Sequence, residues 1–174
     1  MSWPDLSEVL RGIPWGVVGA VATRHYMPER MTADLDIIVR GEDGSEVGER
    51  LRAAGYGHVQ DLAVGGATWA APSGQEVDVL EGREPWWPEA LAQAAANRDP
   101  QGLPIVPLRY LVLTKLRAGR VQDVADVTRM LGLADDAALD AVRRFVAEES
   151  PDDVEDLESL ITLGRLETKP PGPG

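Results

Sequence analysis

The chain has 174 residues, 44% of them hydrophobic and 26% charged, a balance that suits a folded domain or a compact pair of subdomains and excludes collagen-like, low-complexity and mini-protein classes. Cysteine is absent, which excludes disulfides, thiolate metal sites and cysteine nucleophiles. With 17 Lys and Arg against 29 Asp and Glu the net charge is −12, so the surface as a whole repels nucleic acid and anionic membranes, and a polyanionic substrate needs a local basic patch.

Pro4 and Asp5 open a short segment in which Leu6, Val9 and Leu10 recur at helical spacing before Gly12 and Pro14, which predicts a short helix lying on the core. Trp15 to Val18 is a brief apolar strand stopped by Gly19, and Ala20 to Tyr26 follows as a few helical turns before Pro28. From Thr32 to Arg40 the pattern alternates, with Thr32, Asp34, Asp36 and Ile38 on one side and Ala33, Leu35, Ile37 and Val39 on the other, the clearest strand in the chain. Glu46 to Ala54 reads as a helix ending at Gly55. His58 to Ala63, Ala67 to Ala71 and Gln75 to Leu80 read as an antiparallel meander broken by Gly65-Gly66 and Pro72-Ser73-Gly74.

Pro88 to Asn97 is alanine-rich and predicted helical, and Leu103 to Val106 is a short extended piece before Pro107. Beyond it the pattern is helical at 108–118, 121–131, 136–149 and 151–163. These segments predict an α+β chain: a core over residues 1–106, a helical portion over 107–167 and a disordered Pro- and Gly-rich tail over 168–174. No apolar run approaches the roughly 20 residues of a membrane helix, and the N-terminus lacks a basic region leading into an apolar stretch, so a cytoplasmic protein without a membrane partner is expected.

Asp34 and Asp36, two residues apart on one strand, point to the same face, and Asp78 sits mid-strand between Val77 and Val79. Three carboxylates converging on one spot repel unless a cation lies between them, and an all-oxygen site suits Mg²⁺ or Mn²⁺. The alternative is that Asp34 and Asp36 face solvent at a sheet edge. Lys115 falls within the apolar arc of Leu108, Leu111, Val112 and Leu116, so it either meets an anion or snorkels to water. A methionine of similar length is expected to replace it without loss of the fold. Residues 107–130 hold five basic side chains against two acidic, a local basic patch. Asp123 and Asp126, spaced i,i+3, are expected to pair with Arg120 or Arg129. Trp86-Trp87 is read either as core packing or as a platform for a base.

Gly19-Ala20-Val21-Ala22-Thr23-Arg24-His25, then Arg30-Met31-Thr32-Ala33-Asp34-Leu35-Asp36, resembles the opening motif of nucleotidyltransferase-fold proteins of the AbiEii toxin type, in the DNA polymerase beta-like superfamily. Val77-Asp78-Val79-Leu80 resembles that family's third-carboxylate strand. Lys115 followed by Arg120, Asp123 and Asp126 resembles its later lysine and R-x-x-D-x-x-D stretch. The resemblance covers about residues 13 to 132. It implies a mixed sheet flanked by helices, with the helical portion closing a cleft. It also implies transfer of a nucleoside monophosphate from a nucleoside triphosphate to a hydroxyl of RNA, protein or a small molecule. Asp34, Asp36 and Asp78 would hold Mg²⁺ or Mn²⁺, Asp78 would also help activate the acceptor, and Lys115 would neutralise phosphate charge. Gly19, Arg30, Thr32, Arg120 and Asp123 would support the nucleotide, and an antitoxin or other protein partner is implied. The chain departs from the family at Val18-Gly19-Ala20, which has one glycine and no hydroxyl. That departure motivates one alternative, a binding or regulatory module that has lost transfer, and the acidic C-terminal helices motivate another, a toxin-antitoxin partner protein that docks a basic partner.

Overall fold

A computed structural model describes residues 3–28 and 34–168. The chain divides into two compact units, Met1–His25 with Arg30–Pro107, and Tyr26–Glu29 with Leu108–Gly174.

The first unit is built on a five-stranded sheet: β1 (Trp15–Val18), β2 (Leu35–Arg40), β3 (Gly57–Asp61), β4 (Gly66–Ala70) and β5 (Glu76–Gly82), in the spatial order β1-β2-β5-β4-β3. β2 and β5 are parallel and every other pair is antiparallel, so the meander expected from the three later strands forms and is joined to β2 by a crossover. Along β2 and β5 the alternation predicted from sequence holds: Leu35, Ile37, Val39, Val77 and Val79 are buried on one face. Trp69 shares that face, because it pairs in register with Val77. Helix α2 (Gly44–Ala53) covers it, with Gly48 against the Trp69 ring and Val47 and Leu51 buried.

On the other face, helix α3 (Trp87–Ala94) packs over Gly16 and Gly82, where a Cβ would meet Leu91, Ala94 and Val106 at the first and the Trp87 ring at the second. Trp86 and Trp87 are both buried with ring centroids 4.3 Å apart, which settles them as core. Leu103–Val106 lies along the outer edge of β1, with Val17 donating to Pro104 and Val106 donating to Val17, so that edge is not left open to another chain.

The second unit is four helices: α4 (Leu108–Ala118), α5 (Val121–Leu133), α6 (Asp136–Glu149) and α7 (Val154–Thr168), the last preceded by a 3-10 turn over Pro151–Asp153. α5 and α7 pack against each other at two glycines: a Cβ on Gly132 would overlap the Gly164 carbonyl, and one on Gly164 would overlap the Thr128 carbonyl. Arg143 on α6 ties to α7 through both Glu158 carboxylate oxygens, at 2.6 and 3.0 Å.

Three sequence expectations are corrected. Residues 7–12 form turns rather than a helix, although Leu6 and Leu10 are buried as the spacing implied and Val9 is half-buried. Gly12 turns the chain at φ +83°, a conformation that ends any helix there. β2 begins at Leu35, so Asp34 precedes it rather than lying within it. Thr168 belongs to α7, where its hydroxyl donates to the carbonyls of Gly164 and Gly132, and so is not part of a tail. The rest of the tail, 169–174, lies outside the described residues, as do Thr32 and Ala33 of the expected strand.

Candidate active site

The sheet places the acidic residues by register. Asp36 on β2 and Asp78 on β5 are direct partners on adjacent parallel strands, so their side chains leave the same face side by side. That face is the one opposite Ile37 and Val79, toward the strand starts and beyond the part that α3 covers. Asp78 is in turn the register partner of Thr68 on β4, whose hydroxyl donates to Asp78 Oδ1 at 2.6 Å. Both Asp36 and Asp78 are half-buried, whereas Asp34, two residues before Asp36, is exposed.

On the other side of Asp36 lies the chain's turn from β1 into helix α1 (Gly19–Tyr26). Val18 pairs with Asp36, and the next residue, Gly19, adopts φ +62° with its Cα against the Asp36 carboxylate. A Cβ at Gly19 would overlap Asp36 Oδ2. Glycine is therefore required twice, by the backbone conformation and by the closeness of the carboxylate. Thr23 lies four residues into the helix with its hydroxyl donating to the Gly19 carbonyl at 2.8 Å, so it serves the helix. His25 lies in the last turn of the same helix, half-buried.

Among the described residues no three His, Asp or Glu side chains stand close enough to form a closed metal-binding group. The donor chemistry nevertheless suits a hard cation: two neighbouring carboxylates flanked by a glycine turn. Mg²⁺ is characteristically held by one or two carboxylates together with substrate phosphates rather than by an all-protein cage, so this pair fits it.

In the helical unit Lys115 neither reaches solvent nor packs as an alkyl chain. It is 6% exposed, and its ammonium donates to Asp123 Oδ1 and Asp126 Oδ2, each at 2.9 Å. Asp123 also accepts from Arg120 at 2.6 Å, and Asp126 accepts from Gln122 at 2.9 Å. The expected Arg120–Asp123 pair is present, and Asp126 takes Lys115 as a partner. Burial pushes the Asp123 carboxyl up, but the hydrogen bonds from Arg120 and Lys115 outweigh it and hold the group below the usual carboxylate range. Arg30 and Thr32 lie outside the described residues.

Neither a protein-family model nor a curated protein matches the chain. Solved structures do. The solution structure of the antibiotic-resistance factor ANT(2'')-Ia matches at a TM-score of 0.50 with 16% identity, over 93% of this chain and 88% of that one. The crystal structure of ANT(2'')-Ia in complex with adenylyl-2''-tobramycin matches at 0.52 with 13% identity, over 94% and 95%. The fold is that of a nucleotidyltransferase. At these identities the likeness is one of fold, to an aminoglycoside nucleotidyltransferase, and it does not show the AbiEii type. In this nucleotidyltransferase fold the sequence motifs located Asp36, Asp78 and Gly19, which the register brings together. Thr68 escaped them. Its only signal was a hydroxyl residue opposite Trp69 in the β4 alternation, on the face shared with Asp78.

Proposed function

We propose that the chain is a divalent-cation-dependent nucleotidyltransferase that moves a nucleoside monophosphate from a triphosphate to a hydroxyl acceptor. The observation that carries this reading is the register pairing of Asp36 with Asp78 beside the Gly19 turn, in a nucleotidyltransferase fold.

Asp36 and Asp78 would hold Mg²⁺ or Mn²⁺, which when bound supplies charge neutralisation and polarisation of phosphate oxygens, and Asp34, exposed and ahead of β2, enters through the motif resemblance alone. The chain's own residues do the rest. The Gly19 turn lets the start of α1 approach a phosphate without side-chain obstruction, and backbone N–H groups at a helix N-terminus favour an anion there. Asp78 takes the proton of the acceptor hydroxyl as its oxygen attacks the α-phosphorus. The bond from that phosphorus to the β-phosphate oxygen breaks, and pyrophosphate leaves. Lys115, Arg30, Thr32, Arg120 and Asp123 enter this reading through the motif resemblance alone, and the buried Lys115 ammonium is held by Asp123 and Asp126 within the helical unit.

Among acceptors, a small molecule is favoured over RNA or protein. Its support is the adenylyl-2''-tobramycin bound to the structural neighbour and the −12 net charge, which disfavours RNA. The toxin role and an antitoxin partner rest on the motif resemblance alone. A second reading, a binding module without transfer, is favoured by one observation: the Thr23 hydroxyl in α1 is already committed to the Gly19 carbonyl.

Incubation of the full chain with Mg²⁺, each α-labelled triphosphate and a panel of hydroxylated small molecules separates the readings. Pyrophosphate release with a labelled product, lost in Asp36→Asn, is the expected result. Triphosphate binding without pyrophosphate release under every condition would select the binding module.

A further inference from the structure

We infer that Thr68 is a positioning residue for Asp78, holding its carboxylate in the orientation that cation binding and proton transfer need. The inference rests on the nucleotidyltransferase reading above.

Three observations carry it. Thr68 is only 3% exposed, so water offers its hydroxyl little alternative. It is the direct register partner of Asp78 on the neighbouring antiparallel strand, so the two side chains leave the same face at the closest cross-strand spacing. The O–H···O distance of 2.6 Å is that of a charge-assisted bond to a carboxylate.

A carboxylate is planar, so anchoring Oδ1 limits the rotation of the group and thereby limits where Oδ2 can point. Threonine suits this task better than a longer donor. Its β-branched side chain has restricted χ1 freedom, so the hydroxyl direction is set by the strand itself. Asp78 therefore stands between a neighbour that repels it, Asp36, and one that fixes it, Thr68. Without Thr68 the carboxylate would be expected to turn away from Asp36 when no cation is present, and binding would then have to reorder it. Partners that hold a metal ligand in this way typically affect affinity or activity by about 10–100-fold.

The test is titration of Mn²⁺ followed by its electron paramagnetic resonance signal, on the full chain and on Thr68→Val, Thr68→Ser and Asp36→Asn. Melting temperature serves as the check of folding. Valine keeps the shape and the strand preference and removes the donor, whereas serine keeps the donor. The expected result is that Thr68→Val weakens Mn²⁺ binding about tenfold or more, while Thr68→Ser stays within about twofold of the parent. If Thr68→Val fails to fold, Thr68→Ala replaces it in the same contrast with serine. Equal affinity in the parent and the variant lacking the hydroxyl overturns the inference while leaving the carboxylate site intact. So does a loss in Thr68→Ser as large as that in the variant lacking the hydroxyl. A parent whose Mn²⁺ binding is absent, or is unchanged by Asp36→Asn, overturns the carboxylate site and this inference with it.

Discussion

Lys115 shows how a single buried charge is kept folded. Its ammonium is surrounded by Asp123 and Asp126, and these carboxylates are themselves 2% and 1% exposed. The sequence expectation that methionine would substitute without loss of the fold fails on this geometry. Lys115→Met fills the volume but leaves two carboxylates buried near each other with their shared cation gone. Breaking such a group by removing one partner costs about 3–5 kcal/mol, so Lys115→Met should lower the stability measured by urea denaturation by roughly that amount. A variant as stable as the parent would show that the carboxylates find other donors. The same network sets a pH dependence. The folded Asp123 carboxyl titrates below its unfolded value of 3.8, so its stabilisation is fully present above that value and is lost as pH falls through the folded one. Asp123→Asn should therefore flatten part of the acid limb in a plot of melting temperature against pH, whereas Glu42→Gln, at an exposed side chain, should not.

At the scale of elements, what was legible in the sequence was what alternation and helical spacing encode locally. β2 and β5 could be read because apolar residues alternate with Asp36 and Asp78 along them, and α4 and α6 because apolar residues recur at helical spacing, with Lys115 set among those of α4. The β3-β4-β5 meander was legible, but not that β2 lies between β1 and β5, since those pairing partners are chosen by long-range packing rather than by spacing within a strand. Asp36 and Asp78 could be chosen as candidates from their motifs, but only the register shows that they are neighbours and that Thr68 stands next in the row. The crossing of α5 and α7 was hidden for a similar reason: Gly132 and Gly164 look like weak points in two helices until the close approach is seen. That approach makes a prediction opposite to helix propensity. Gly164→Ala should improve the isolated helix, yet its methyl would overlap the Thr128 carbonyl. Overpacking of this kind costs about 1–3 kcal/mol, so the melting temperature should fall by several degrees, at roughly 2–4 °C per kcal/mol for a chain of this size. A rise would mean that the two helices separate without penalty.

At the scale of the whole molecule, the −12 charge and the paired carboxylates act in the same direction. Both oppose the approach of a polyanionic triphosphate, and both favour a divalent cation, which the sheet attracts locally and the remaining acidic surface attracts at longer range. Folding brings Asp36 and Asp78 onto neighbouring strands, and in the unfolded chain they are separated by a long, flexible segment. On the proposed reading, cation binding would be linked to the folded state, and Mn²⁺ or Mg²⁺ should raise the melting temperature. One site at a hundredfold excess over its dissociation constant gives about 2.7 kcal/mol, equivalent to a shift of roughly 5–10 °C for a chain of this length. Asp36→Asn should abolish most of that shift, because it removes one of the two carboxylates that only the native register holds together. Monovalent salt at equal ionic strength is the necessary comparison, since general screening also relieves the self-repulsion of a chain this acidic. If the salt alone reproduces the effect, or if Asp36→Asn retains the full shift, the cation acts on the acidic surface and not on the β2–β5 pair.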